Sequence, residues 1–369
     1  MDGHLLTVDG ESHEITPAAL KQLIDSSARF WLDIGGMDQE TAETLLRDTF
    51  GFHPLAIEDA EHFGQRPKID PYEGYSLIVV FGVAESGALV EVHCFYTENY
   101  LVTVHHDVCS DLSVLADRLR QRAGPRPDHV MLLYRVMDML IDGYFPVLAR
   151  LDDQIDELED EILERPTEQQ LGKLFDLKRS LIAMRKVVTP QRDMMATLLS
   201  RGDDLLPGMT PDAERYFRDL YDHLIRISDL VDSYRDLLSG ALDTHLSTVS
   251  NRLNVVMKQL TIIATVFLPL SFLTGFFGQN FGWMVNRLDS FWVFIGVGIG
   301  VQVLAAAGLV VMFRRRGWLA SEGTVPSAAP TKRRRFAADR RWKVVHVGLD
   351  DLPQLPRPEL PHPHASLDA

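Results

Sequence analysis

Cysteine is scarce in this chain: Cys94 and Cys109 are the only two among 369 residues. Two thiols without CxxC spacing exclude a disulfide framework and a thiolate metal site. No HExxH, GxSxG or GxxxxGK[ST] sequence occurs and the histidines are scattered. His105-His106 falls in a strand-like segment that the fold explains better than catalysis, so the chain does not read as an enzyme. The opening MDGHLLTVDGESHE has no basic end leading into an apolar core, which gives no expectation of a cleavable secretory signal. Positive charge is also short, with 37 Lys and Arg against 52 Asp and Glu and a net charge of -15. That balance argues against a nucleic-acid partner and leaves cations as the natural ligands.

Charge of either sign is missing from two long stretches, Leu260 to Phe277 and Phe291 to Phe313. Each approaches the roughly 20 apolar residues that cross a hydrocarbon core of about 30 Å. Joined by a short connection, they predict a transmembrane helical hairpin. Two buried core helices would have the same composition, yet little chain follows the second run to cover them. Arg314, Arg315 and Arg316 close the second run, Arg252 and Lys258 precede the first, and the connection FGWMVNRLDS carries only Arg287 and Asp289. Basic flanks stay inside. This predicts a multi-pass protein of the cell (plasma or inner) membrane with its outer loop outside and both termini cytoplasmic.

Before the hairpin, short β-branched and aromatic runs alternate with helical periodicity up to about His106, the pattern of an α/β layer domain. Strands are expected at His4 to Val8, Arg29 to Ile34, Tyr75 to Ala84, Leu89 to Thr97 and Tyr100 to His106. Helices are expected at Pro17 to Ser26, Gln39 to Phe50 and Pro54 to His62, two of them with proline at the start, where its missing N–H costs least. From Asp111 onward only helical spacing remains, over Asp111 to Arg122, Asp128 to Arg150, Leu151 to Glu164 and Thr167 to Leu199. The segment LDDQIDELEDEILE sets eight acids around an apolar stripe of Leu151, Ile155, Leu158 and Ile162. It reads as a solvated face or as an electrostatic element beside a cation path.

Gly202 to Pro211 reads as a loop. Asp212 to Phe277 then shows one helical pattern on the order of 100 Å long at 1.5 Å per residue. A helix of that length needs partners, either the preceding helices or copies of itself. The composition therefore divides into a cytoplasmic domain 1–210 with acidic helices, a stalk helix 211–259, spans 260–277 and 291–313 around an outer loop 278–290, and a tail 314–369. The tail contains a basic cluster, Lys332 to Arg335 with Arg340, Arg341 and Lys343, then proline-rich PQLPRPELPHPH. It reads as disordered, with the basic cluster either merely solvated or set against anionic membrane lipid.

A single hairpin encloses no water-filled path, so several subunits are required for one. On the first span Asn254, Met257, Thr261, Ala264, Leu268, Ser271 and Gly275 recur at three or four residues and share a face. Polar and small residues there, interrupted by bulky Leu268, suit a narrow pore with a hydrophobic constriction; tight helix packing needs the same small residues. Gly278-Gln279-Asn280 then ends the run in a turn whose carbonyls and Asn280 amide suit a hydrated cation, or simply cap the helix. Magnesium dehydrates reluctantly, which favours neutral oxygens around a hydrated ion over a carboxylate cage.

The run LTIIATVFLPLSFLTGFFGQNFGW, preceded by YFRDLYDHLIRISDLVDSYRDLLSGALD and followed by a second span ending in RRRGWL, resembles the CorA family of divalent-cation channels. EDAEHFGQRPKID and LDDQIDELEDEILERP are similar to the same family, so the resemblance runs from about His53 to Leu319. It implies an α+β membrane protein: a cytoplasmic α/β/α domain and a long stalk helix continuing into a two-helix hairpin, assembled as a homopentameric funnel. It further implies pore positions at Asn254, Met257, Leu260, Leu268, Ser271 and Asn280. Mg²⁺ would be both cargo and regulator, with Co²⁺ or Ni²⁺ as surrogates. Regulatory ions between cytoplasmic domains would use Glu58, Asp59, Asp219 and His223. The family turn is usually Gly-Met-Asn, and Gln279 departs from it. A zinc-transporting branch of the superfamily also differs there, which keeps Zn²⁺ transport, with or without proton coupling, as an alternative. A membrane-anchored divalent-cation sensor is the alternative of another class; the polar face from Asn254 to Asn280 disfavours it.

Overall fold

The computed structural model describes residues 2–7, 16–36, 39–107, 109–121, 128–279, 282 and 290–318. The chain divides into two compact units, Met1–Val255 and Val256–Ala369. The first is built on six strands: β1 Asp2–Thr7, β2 Phe30–Gly35, β3 Lys68–Tyr72, β4 Tyr75–Val83, β5 Leu89–Tyr96 and β6 Tyr100–His105. They lie in the order β1-β2-β6-β5-β4-β3. Only β2 and β6 run parallel; the other pairs are antiparallel. Five of the strands match the alternation in the sequence, whereas β3 was not anticipated. Its segment KIDPY carries a proline that cannot donate to a ladder, which an outermost strand tolerates.

Helices cover both faces of the sheet. Phe95 on β5 stacks on Phe52, just before α3 (Pro54–Glu61), with centroids 4.4 Å apart. On the opposite face, a Cβ on Gly82 of β4 would come within 2.8 Å of Leu140 on α5 (His129–Asp142). Glycine at residue 82 therefore lets α5 approach the sheet. The remaining helices of this unit are α1 Pro17–Asp25, α2 Gln39–Asp48, α4 Ser110–Gln121, α6 Tyr144–Glu164, α7 Glu168–Ser200 and the single turn α8 Gly202–Leu205. The single helix expected over Asp128 to Arg150 is divided at Gly143, and α6 carries the acidic run.

The edge of β4 beyond the end of β3 is closed by a side chain. Gln191 of α7, fully buried, accepts from Phe81 N at 2.7 Å and donates to Phe81 O at 3.3 Å. One amide thus satisfies both backbone groups that the short edge strand leaves unpaired. Ser76 and Tyr96 donate to the carbonyls of Leu205 and Pro207, tying α8 and the residues just after it to the sheet. His105 is buried, its Nδ1 2.6 Å from the Asp107 carbonyl and its Nε2 3.4 Å from Asp33, which is a core role. Both cysteines are free and buried, and burial raises both thiols, Cys109 to about 11.

The longest element is α9, 67 residues over Pro211–Phe277. In the first unit it buries Phe217, Leu220, Leu224, Ile227, Val231, Leu238 and Ala241, a stripe at helical spacing. The last buried residue on α9 is His245. Beyond it Leu246, Val249, Leu253, Val256, Met257 and Leu260 are exposed apolar side chains.

In the second unit α9 continues through Pro269 to Phe277, and α10 spans Phe291–Arg315 with a π-helical stretch at Phe294–Gly300. Both helices are long and apolar enough to cross a membrane, and no residue of either apolar window is buried. Thr261, Thr265 and Thr274 donate to carbonyls one turn back at 2.8, 2.7 and 2.7 Å. Their hydroxyls are thereby satisfied within the helix, as hydrocarbon requires.

Candidate functional site

In the second unit, one face of α9 differs from the other. Lys258, Ile262, Val266, Pro269, Leu273 and Phe277 are partly covered. At 3.6 residues per turn they form a stripe roughly opposite Asn254, Met257, Thr261, Ala264, Leu268, Ser271 and Gly275. All of the latter are exposed, Met257 at 60% and Leu268 at 77%, as is Leu260 at 59%. The face singled out by its small and polar residues thus lies in the uncovered part of the helix, which also carries Ile263, Phe267, Phe272 and Phe276, and the threonine hydroxyls bond within the helix.

The helix exit is held by backbone bonds. Gly278 N donates to Thr274 O at 2.9 Å and Gln279 N to Phe276 O at 3.3 Å. Gly278 does not have a left-handed φ; a Cβ there would lie 3.1 Å from Thr274 O, so close approach is what glycine provides. Gln279 is exposed. Asn280, most of the outer loop and the tail beyond Trp318 lie outside the described residues.

In the first unit, the expected acidic ligands separate into two places. On α3, Glu58 is exposed, while Asp59 accepts from Lys68 Nζ at 2.6 Å. Lys68 also meets Asp70 at 2.9 Å. Asp219 and His223 lie one turn apart on α9, with His223 Nε2 3.8 Å from Asp219 Oδ2. Across from them α5 supplies two carboxylates not singled out in the sequence, Asp138 and Asp142. His223 Nδ1 comes within 3.1 Å of Asp142 Oδ1, yet neither enclosed atom completes a hydrogen bond. Asp138, Asp142 and His223 offer ligand atoms within 4.8 Å of one another.

The electrostatics of this corner follow from crowding like charges at half-buried positions. Burial pushes the Asp138 carboxyl up to about 6, and the Asp142 charge adds to the shift. His223 is raised above its ordinary value by Asp142 first, against desolvation, with Asp219 and Asp138 contributing. Two carboxylates and, once deprotonated, an imidazole form a donor set for a divalent cation. A cation there would offset the Asp142 charge that adds to the effect of burial on Asp138. A spacing of four residues between Asp138 and Asp142 within an apolar helix was the available signal. What the sequence could not supply was the packing of α5 beside His223.

An α/β domain, one long helix shared with an apolar span, and a second span closed by arginines define a two-span membrane protein of the ion-transport class. The chain belongs to the CorA-like Mg²⁺ transporter protein family, whose model matches residues 27–315. It is 37% identical over 304 residues to the cobalt/magnesium transport protein CorA of Thermotoga maritima, covering 80% of this chain and 85% of that one. It is 28% identical over 231 residues to the zinc transport protein ZntB of Yersinia enterocolitica, covering 61% of this chain and 69% of that one. The complete structure of the CorA magnesium transporter from Methanocaldococcus jannaschii superposes with a TM-score of 0.70 at 24% identity, covering 79% of this chain and 92% of that one. Members of the family are ion transporters or channels, not enzymes.

Proposed function

We propose that the chain is one subunit of a homopentameric channel in the cell membrane that admits hydrated divalent cations, chiefly Mg²⁺, with Co²⁺ and Ni²⁺ as surrogates. The observation that carries this reading is the asymmetry of α9, whose polar and small face is uncovered while the opposite face is partly packed. The exposed apolar stretch from Leu246 to Leu260 supports assembly, because a lone soluble chain rarely leaves so much contiguous apolar surface in water. Asn254, Met257, Leu260, Leu268 and Ser271 then line the path, with Gly278, Gln279 and Asn280 at its outer mouth. Both termini are cytoplasmic, and the boundaries are those of domain 1–210, stalk 211–259, spans 260–277 and 291–313, outer loop 278–290 and tail 314–369.

Regulatory divalent ions act on the cytoplasmic side. Asp219 and His223, joined by Asp138 and Asp142, form one candidate ligand group. Glu58 and Asp59 on α3 are the other, facing a neighbouring copy. Bound ions neutralise these acids and hold the closed state; their loss leaves repulsion that favours opening. Magnesium is preferred to zinc as cargo because the proposed pore face carries neither cysteine nor histidine. Entry needs no catalysis, since an inside-negative potential of 100 mV supplies about 4.6 kcal/mol to a divalent ion.

The test is Mg²⁺ flux into liposomes containing the purified full chain, with Zn²⁺ as competitor. Entry that falls at least tenfold in Asn280→Ala, as expected for loss of a selectivity ligand worth at least about 1.4 kcal/mol, supports the reading. Absence of Mg²⁺ entry, or entry indifferent to Asn280→Ala, rejects it.

A further inference from the structure

Lys68 Nζ lies 2.6 Å from Asp59 Oδ2 on α3 and 2.9 Å from Asp70 Oδ2 on β3, one ammonium held between two carboxylates. Both elements are patterned for this. On α3, Ala56, Ile57 and Ala60 are buried, which leaves Glu58 exposed and Asp59 half-buried at the margin of the packed face. On β3, Lys68 and Asp70 are two residues apart and share a face of the strand, while Ile69 between them packs against the core.

The connection between the two elements is clamped from below by a buried acid. Glu91 of β5, 8% exposed, accepts from Gly64 N at 2.6 Å and from Gln65 N at 3.1 Å. Its Oε1 also lies 2.8 Å from Nε2 of the fully buried His93. An ion pair between two mobile side chains loses most of its attraction to the ordering of both. Here the loop joining the partners is pinned to the sheet, so Lys68 is seated on Asp59 without further ordering of the chain. The charges around it do not cancel: one ammonium against Asp59, Asp70 and Glu58 leaves a net -2.

We propose that Lys68 is a tethered cation that competes with divalent ions for Asp59. An ion reaches this carboxylate only by displacing the ammonium, so Lys68 sets the divalent concentration at which the α3 site fills. The inference rests on the reading of Glu58 and Asp59 as regulatory ligands and deepens it by naming what the entering ion replaces. A divalent ion neutralises two carboxylates, whereas the ammonium leaves one uncompensated. Lys68 is itself only half-buried, and its long stem lets the displaced head turn to water. Because the competitor belongs to the chain, its local concentration stays high whatever the solution contains. If it holds the seat about nine-tenths of the time, an entering ion binds about tenfold more weakly than at an open carboxylate.

The experiment titrates the full chain in nanodiscs with Mn²⁺ as the probe, reading free Mn²⁺ by electron paramagnetic resonance. The α3 component of the binding curve is the one that weakens in Glu58→Gln. Lys68→Gln and Lys68→Met, which remove the charge, should each tighten that component by about threefold to tenfold. Lys68→Arg keeps a cation and should not show the gain, and adding Asp59→Asn to Lys68→Gln should abolish it. A salt bridge that only stabilised the fold would give the opposite sign or none. Unchanged or weaker Mn²⁺ binding in the folded neutral variants therefore overturns the proposal. So does a gain that persists with Asp59→Asn, which would reflect net charge alone, and so does failure of both neutral variants to fold, which would make Lys68 a structural cation. A curve indifferent to Glu58→Gln and to Lys68→Gln rejects the α3 reading together with the proposal. A curve that weakens in Glu58→Gln yet ignores Lys68→Gln rejects the competition alone.

Discussion

Asp142 of α5 and His223 of α9 face each other at 3.1 Å with neither approaching atom hydrogen-bonded. Asp138 stands one turn away, its carboxyl pushed up to about 6 against an ordinary 3.8. The sign of the pH dependence follows. A carboxyl that holds its proton more tightly folded than unfolded binds more protons in the native state, so stability falls as pH rises from about 3.8 to about 6. His223, raised above 6.5, extends the same decline upward. Melting of the purified full chain in chelator should show this slope, and Asp138→Asn should flatten its lower part. Added Mg²⁺ should raise the melting temperature more at pH 8 than at pH 5, because deprotonated ligands bind the ion. Equal Mg²⁺ effects at both pH values would remove this cluster from the regulatory reading.

Gln191 closes the edge of β4, and its replacement by alanine leaves the Phe81 N–H buried without a partner and its C=O with the Tyr144 hydroxyl alone, at 3.2 Å. The expected cost is about 2–4 kcal/mol, from one cavity and one orphaned N–H. Gln191→Glu, which keeps an acceptor for Phe81 N but loses the donor to Phe81 O, should still be destabilised. Chemical denaturation followed by the signal of the first unit measures both, and an unchanged midpoint in Gln191→Ala would contradict the edge-closing role.

Gly82→Ala tests the approach of α5 to the sheet. The added methyl would lie 2.8 Å from Leu140, so the helix must move or the leucine leave its rotamer. Overpacking of this kind costs about 1–3 kcal/mol. Since α5 also carries Asp138 and Asp142, the same variant should weaken Mg²⁺ stabilisation. Loss of stability with unaltered Mg²⁺ response would mean that α5 shifts without disturbing its acidic end.

Most strands were legible because alternation and turn residues survive in the sequence wherever a strand is half or wholly buried. The exceptions have local causes. KIDPY hides β3 because Pro71 and two charges mark a loop in isolation, and only its edge position makes them tolerable. The break between α5 and α6 is invisible because Gly143 keeps helical angles, φ -55° and ψ -23°, so apolar spacing runs through it. Leu268 and Asn254 could be placed on one face by counting residues along a helix. Asp138 and Asp142 could not be joined to His223 that way, because their meeting depends on which helices pack together.

Leu268, exposed at 77%, is the bulkiest of Thr261, Ala264, Leu268, Ser271 and Gly275, the small and polar face of the first span. If this face lines the path, an apolar ring at residue 268 resists wetting, and Leu268→Ser should raise Mg²⁺ entry into liposomes several-fold. Val266→Ser, on the partly covered face, should instead leave entry unchanged or lower it through weaker packing. A gain from Val266→Ser with none from Leu268→Ser would rotate the pore to the other side of α9.

Gln279 is where the outer turn departs from Gly-Met-Asn, and its placement argues that the departure is mild. Its backbone N–H is engaged with Phe276 O at 3.3 Å, a bond that methionine would make equally, and its side chain is exposed rather than folded into the turn. If the backbone carbonyls and the Asn280 amide are the groups that meet the ion, exchanging residue 279 leaves them in place. Gln279→Met should keep Mg²⁺ entry within about threefold of wild type, less than about 0.7 kcal/mol, and should leave the Mg²⁺ to Zn²⁺ preference unchanged. A reversal of that preference would show that the Gln279 amide itself contacts the passing ion, making it a selectivity ligand rather than a substitute for methionine.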